Sequence, residues 1–434
     1  MTFTLTGIFI ILVFWRPQEW LLPWMYGWPL LDGIVYASLL GLLLEINQRK
    51  MQFTRSPAIY LLAGLWLSTL LSHVVHTYFA GLMGTIPETG KICFFSLLLL
   101  CVIDRPERAR RLAVLFVIGA CIMAANSLMQ EYTGLGFAGQ EPIYTVNPKT
   151  DEPIVRTLFF GIFSDPNDTA QFLVTCMPFV FALPRRLNLM TTIGCCAVCV
   201  FLLEAFLTTH SRGGQVGLVT LVTMVLVLRL PARWTPRAIL VMLVGGLVFC
   251  LVKGGALLDA SSQDRVVFWG LANQYFKHEP IFGIGYGMFW EVAGDRAAHN
   301  AFVSTYTEIG IVGYWFWFGL LVLGILGCWR VRMLLSDART DTERYVRRFA
   351  GLTILALCAF CASAYFLSRA WVYPMFFLLS VANAVPSIAE DLRPDAPPLL
   401  NARKDLLVTN TLGTIGSIAY IYFSIVILNR AFYG

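Results

Sequence analysis

Uninterrupted apolar runs recur along this chain from end to end, several of them close to the roughly 20 residues that carry an α-helix across a bilayer. A chain with apolar stretches this long and this frequent is not built to bury them all in one water-soluble core. Its 434 residues are 57% hydrophobic and only 13% charged, with a mean hydropathy of +0.69. Strand-like alternation is missing from the runs, so helices rather than a barrel are expected to satisfy the backbone in lipid. The expected fold is an all-α polytopic membrane protein, one integral membrane domain over 1–434 with about 12–13 transmembrane helices.

Candidate spans lie near 2–14, 29–45, 57–75, 91–103, 112–130, 167–183, 189–207, 214–228, 238–252, 301–325, 351–367, 372–388 and 407–429, the first and fourth being short. Residues 2–14 lack a basic flank and a clear cleavage site, so Thr2 to Phe14 reads as a retained first helix. Nearly all cysteines fall inside apolar runs, where a thiolate is expensive. The pair Cys358 and Cys361 and the group Cys195, Cys196 and Cys199 therefore read as small helix-facing residues, and neither a metal nor a cofactor is expected.

Charge supplies the sidedness. If Arg49, Lys50 and Arg55 are cytoplasmic, every second loop joins them, and these loops hold roughly two thirds of the 32 basic residues. DRPERARR (104–111) and RLPARWTPR (229–237) anchor that assignment. The net charge of +6 is then a topology signal, spread one patch per loop, and no nucleic-acid partner is expected. The long loops 131–166 and 253–300 fall on the other, outer side. Aromatic-rich loops of this length are usually folded and functional.

Within 253–300, the segment SSQDRVVFWGLANQYFKHEP carries Val267, Phe268, Leu271, Ala272, Tyr275 and Phe276 at helical spacing. It reads as an amphipathic helix on the membrane surface, with Ser261 and Asp264 as its N-terminal signature and Pro280 beyond its end. Arg265 sits in its first turn, where the macrodipole disfavours a cation. Either an acid such as Asp264 neutralises it, or the helix N-terminus and the guanidinium fork together hold a phosphate.

Three other outer segments carry polar residues that the membrane alone does not demand. In THSRGGQVG, Arg212 is either a snorkelling anchor or an anion ligand, Gly213 and Gly214 would let backbone approach a ligand, and Ser211 can cap the next helix. In SDPND, Asp165 and Pro166 are explained by capping, whereas Asn167 and Asp168 are candidates for acceptor or metal binding, or else exposed first-turn groups. Glu204 and Glu308 near span ends would pair with arginines. GIGYGMF (283–289) follows no strand and reads as a tight turn under the substrate rather than a nucleotide loop. His73 and His76 share a helical face without an evident third metal ligand. His299 stands at the lip of a span with Asn300. By the charge count it lies on the same side as Arg212, Arg265 and Asp168, so two arginines could face a phosphate-bearing lipid with an imidazole as base.

At these positions the sequence resembles the O-antigen ligase and polymerase superfamily of bacterial membrane glycosyltransferases, the ligase branch above all. The HN-x9-GxxG pattern at His299, Asn300, Gly310 and Gly313 is similar to the ligase signature. So are SRGG around Arg212, the DPND element at Asp165–Asp168, and a spaced set through Arg265, Trp269, Pro280, Gly283, Gly285 and Phe289. The resemblance covers about 160–320. It implies transfer of an undecaprenyl-diphosphate-linked glycan to an acceptor hydroxyl, in ligases that of the lipid A–core of lipopolysaccharide. The setting would be the periplasmic face of the inner membrane. Carried over by position, Arg212 and Arg265 would bind the diphosphate and stabilise its departing charge, His299 would activate or orient the acceptor, and Asn300, Asn167 and Asp168 would bind substrate. A diphosphate leaving group needs charge neutralisation more than protonation, so the arginines could stand in for a metal, and single displacement would invert the anomeric carbon. The rivals are a polymerase using a second lipid-linked glycan, a protein O-oligosaccharyltransferase, and, outside enzymes, a lipid-linked glycan transporter, which would place ionisable groups on discontinuous helices near the midplane.

Overall fold

The computed structural model describes residues 1–50, 53–146, 152–231, 234–235, 237–242, 244–245 and 260–433. In chain order its main helices are α1 (Thr2–Ile10, continued by a π turn over Ile11–Trp15), α2 (Leu30–Asn47), α3 (Ala58–Val74), α4 (Phe79–Val102), α5 (Pro106–Thr133), α6 (Pro166–Val180), α7 (Leu189–Leu207), α8 (Arg212–Val227), α9 (Ala260–His278), α10 (Ala301–Leu334), α11 (Asp341–Ala364), α12 (Tyr373–Leu392) and α13 (Asn410–Tyr433). Among the described residues, eight helices are long and apolar enough to cross a membrane, and this is an all-α polytopic membrane protein. Every candidate span coincides with a helix except 238–252, most of which, with Cys250 and residues 253–259, lies outside the described residues.

The fourth span was expected to be short and is not. α4 begins at Phe79 and passes through Pro87 and the polar stretch around it. Hydropathy hides this turn because its polar groups have partners: Lys91 pairs with Asp32, Thr89 bonds back to the Thr85 carbonyl, and Glu88 accepts from Tyr286. The described cysteines are all free, and most are buried or half-buried.

Aromatic packing welds the centre. Phe116 of α5 stacks on Phe377 of α12 at 4.4 Å, and Phe14 after α1 stacks on Phe172 of α6 at 5.5 Å. Phe14 also meets Phe116 and Phe377 edge-on, so one cluster ties together four segments distant in sequence. Elsewhere small residues let helices close up. A Cβ on Gly214 would lie 2.7 Å from Phe206 and 2.9 Å from Ala170, and one on Gly217 would lie 2.2 Å from the Ser363 hydroxyl. Gly214 and Gly217 thus serve the packing of α8 against α6, α7 and α11.

α10 is interrupted. Gly310 takes φ 64° and ψ −172°, and the segment after α9 fills the gap: Ile311 and Val312 donate to the Pro280 and Ile281 carbonyls at 2.8 and 3.2 Å, while Ile284 and Gly285 donate to the Thr307 and Glu308 carbonyls at 3.0 Å. Only glycine fits on both sides, since a Cβ on Gly310 would sit 2.2 Å from the Ile281 oxygen and one on Gly283 would sit 2.4 Å from the Glu308 carbonyl carbon. GIGYGMF is therefore a backbone brace for α10.

α9 is amphipathic, with its buried face one residue away from the expected one. Val266, Trp269, Ala272 and Asn273 are buried, whereas Val267 is 47% exposed. The reason is polar bonding to neighbours: Asn273 accepts from the Tyr306 hydroxyl and donates to the Tyr422 carbonyl, Asn429 donates to the Val266 carbonyl, and Trp269 donates to the Ala298 carbonyl. Ser261 lies within the helix as described, not at its cap. The 131–166 loop adds the only sheet among the described residues, a hairpin of β1 (Ile143–Val146) and β2 (Pro153–Arg156) with Ile143 opposite Arg156.

Candidate functional site

The starts of α6, α8 and α10 converge, each capped by a side chain that belongs to a motif singled out above. Asp165 accepts the Asn167 N–H at 2.7 Å with Pro166 in the first turn, Ser211 accepts the Gly214 N–H at 3.1 Å, and Asn300 accepts from Phe302 and Val303 at 3.0 and 3.2 Å. The first two of these caps are also linked to each other through Asn167. Asn167 donates its amide to Asp165 at 2.9 Å, and its oxygen accepts from the Ser211 hydroxyl at 2.7 Å. The α6 and α8 entries are thereby locked together, and Arg212 follows at the exposed first position of α8.

Two arginines that sequence reasoning did not single out enter here. Arg156, at the end of β2, donates to the Thr209 carbonyl at 3.1 Å and to the Asn167 oxygen at 3.2 Å, and lies close enough to Arg212 for their charges to act on each other. Arg369, in the loop between α11 and α12, makes a two-pronged ion pair with Asp168. Asp168 is only 6% exposed, so the carboxylate proposed for acceptor or metal binding is committed to positioning a guanidinium. One signal could have flagged both arginines: they belong to the basic minority on the side that the charge count makes poor in Lys and Arg.

His299 adopts a left-handed backbone, φ 49°, and its N–H donates to the Ser368 hydroxyl at 2.8 Å, next to Arg369. The residue keeps an open edge to solvent while neighbouring protein crowds the ring. That partial desolvation first, then the Arg265 charge, lowers the imidazole pKa below its ordinary 6.5; Asp165 pulls the other way and Arg369 adds to the lowering. The imidazole is thus neutral at pH 7 and able to accept a proton. Burial, partly offset by Asp165 and reinforced by Arg212, likewise lowers the pKa of Arg156. Asn300, next to His299 in the chain, is fully buried, and its Nδ2 has no acceptor among the described residues.

A cleft of about 470 Å³ opens beside this group. Ala298, Ser368 and Arg369 form the wall it shares with the cluster, and Trp290, Trp371, Glu88 and Glu308 line it further in. Tyr286 donates to Glu88 at 3.2 Å across its floor, and burial followed by the nearby Glu88 and Glu308 carboxylates raises its pKa. Glu308, expected beside an arginine, instead lies buried in this cleft near Gly287 and Phe289. Glu204 also departs from expectation, accepting from the Tyr132 hydroxyl at 2.8 Å. His73 and His76 point to separate partners, the Thr85 hydroxyl at 3.0 Å and the Gly283 carbonyl at 2.7 Å. Among the described residues no group of three or more His, Cys, Asp or Glu side chains gathers as metal ligands would.

The cluster therefore offers several guanidinium groups, a neutral imidazole and a buried amide donor beside an aromatic, acid-lined cleft. That is a place for an anion next to a place for a polar, ring-bearing molecule. No curated protein matches the chain. Residues 197–318, which include Arg212, Arg265, His299 and Asn300, match the family model described as O-antigen ligase. Over that segment, and in having a multi-pass helical fold, the chain is similar to the O-antigen ligase family.

Proposed function

We propose that this chain transfers an O-antigen glycan from undecaprenyl diphosphate to a hydroxyl of the lipid A–core of lipopolysaccharide, at the periplasmic face of the inner membrane. The observation that carries this reading is the convergence of Arg156, Arg212, Arg265 and Arg369 with His299 at one end of the bundle, from segments far apart in sequence. In the proposed mechanism Arg212 and Arg265 bind the diphosphate and stabilise the charge it gains on leaving. Arg156 and Arg369 add to the positive field, held by Asn167 and Asp168. His299, neutral at physiological pH, takes the proton from the acceptor hydroxyl as its oxygen attacks the anomeric carbon. The carbon–diphosphate bond breaks as the new glycosidic bond forms, and the configuration inverts. Asn300 offers its Nδ2 to a sugar or phosphate oxygen. The cleft walled by Trp290 and Trp371 suits pyranose faces, with Glu88 and Glu308 as hydroxyl acceptors.

The break in α10 at Gly310 beside Glu308 is the feature a transporter would share. Its carbonyls and N–H groups are, however, taken up by the 280–289 brace, which leaves little free backbone to coordinate an ion. The test is transfer by the purified chain from a lipid-diphosphate glycan to lipid A–core, to a second lipid-linked glycan, or to a Ser/Thr peptide. Inverted product on lipid A–core supports the proposal. Product on one of the other acceptors alone replaces it with a polymerase or a protein glycosyltransferase. Glycan movement across the membrane without any covalent product would make the chain a transporter.

A further inference from the structure

α8 and α10 leave the candidate site for the opposite end of the bundle, roughly 24 Å away along the 16 residues of α8, and α11 returns from there to the site. At that opposite end they enclose a second cleft, of about 370 Å³. Its cations are Arg229, Arg332, Arg344, Arg347 and Arg348, and among the described residues no carboxylate lines it. Arg344 is partly offset by Asp341, which Arg186 shares. The others gather without such an offset lining the cleft.

Two of these guanidinium groups are held in fixed orientations while keeping donors unused. Arg332 lies over the Trp329 ring and donates Nη2 to the Leu228 carbonyl at 3.0 Å, yet its Nη1 is buried with no acceptor. Arg348 lies over the Tyr345 ring and donates Nη2 to the Pro184 and Arg185 carbonyls, yet its Nε is buried with no acceptor. Like charges crowded in a half-enclosed space, with donors pointing at nothing, are unfavourable unless an anion completes them.

The remaining wall is aliphatic: Val225, Leu228, Leu352 and Leu355. It continues onto an exposed stripe of α8, where Val219, Val222 and Leu226 are 66%, 58% and 59% exposed. A free phosphate has no use for such a wall. A phosphodiester with acyl chains does, because its headgroup meets the guanidinium groups while its chains lie along the helix.

We propose that this cleft binds the phosphate of an anionic phospholipid. The site shares no residue with the candidate transfer site and stands whether or not the proposed reaction is correct. Native mass spectrometry of the full chain in detergent, offered phosphatidylglycerol and phosphatidylethanolamine together, reads it directly. Wild type should retain phosphatidylglycerol roughly tenfold more, and R332Q/R347Q should lose most of that preference. Because Arg332 also packs against α8, R229Q/R347Q serves as a second variant that leaves the helix contacts in place. Equal retention of both lipids by wild type, or an unchanged preference in R229Q/R347Q, overturns the proposal. So does displacement of the lipid by inorganic phosphate beyond that caused by chloride at equal ionic strength, which would make the cleft a site for soluble anions.

Discussion

Arg330, near the far end of α10, and Arg156, at the candidate site, are both partly buried, but they are held in different ways. Arg330 donates to both oxygens of Asp405 at 2.5 and 2.7 Å, and Asp405 is 1% exposed. Arg393 at the same end bridges Glu343 and Asp337. Arg156 is held instead by a carbonyl and an amide oxygen, which are neutral. A carboxylate fixes a guanidinium and cancels its charge, whereas a neutral acceptor fixes it and leaves the charge to act on something else. Arg369 stands between these cases, tied to Asp168 but forming part of the cleft wall. Arg330 and Arg393 thus act as fasteners, whereas Arg156 is held in place with its charge left as a field.

The largest expected effect tests that division. R212A or R265A should lower transfer by roughly 100- to 1,000-fold, and H299A by about 100- to 10,000-fold, with the protein still folded. R330A should instead lower the unfolding temperature, with turnover at permissive temperature close to wild type. Equal loss of turnover at both ends would break the comparison. Next come the paired carboxylates. D168A and D405A each strand a guanidinium, and each should cost about 3 kcal/mol of stability, read by thermal unfolding in detergent. Only D168A should also reduce turnover in the fraction that remains folded, because only Arg369 reaches the site.

A smaller effect concerns pH. The imidazole of His299 acts as base when neutral, and desolvation and Arg265 lower its pKa from 6.5. The acid limb of the rate profile should therefore lie below 6.5, with a plateau above it. R265Q removes one of the depressing charges, so its limb should move up toward 6.5. An unmoved limb in R265Q would disconnect the two residues. Smallest is S211A, which removes the α8 cap and its bond to Asn167 and should cost about 1 kcal/mol.

Much of this arrangement was legible in the chain. The spans followed from apolar run length. Caps at Asp165 and Ser211 were readable because capping is local, decided by a side chain and an N–H two or three residues away. Arg212, Arg265 and His299 stood out because each sits where a membrane helix alone has little need of it. Hidden were Arg156 and Arg369, whose importance depends on Asn167 and Asp168, partners 11 and 201 residues away. Glu308 was misjudged because packing buries it in the cleft, a setting that its position in the sequence does not reveal. The face of α9 was off by one residue because Asn273, polar by composition, is buried by its bonds to Tyr306 and Tyr422.

By itself the sequence determined that the chain forms apolar helices long enough for a membrane, roughly where most of them run, and which connecting segments carry charge. These follow from local rules: apolar length, periodicity and capping. The tertiary structure alone decided that the outer segments meet, that Asp168 orients Arg369 rather than facing solvent, that α10 breaks at Gly310 under a glycine brace, and that arginines at the far end enclose a cleft. Those outcomes depend on groups brought together from distant positions, and their energies exist only once the helices have packed.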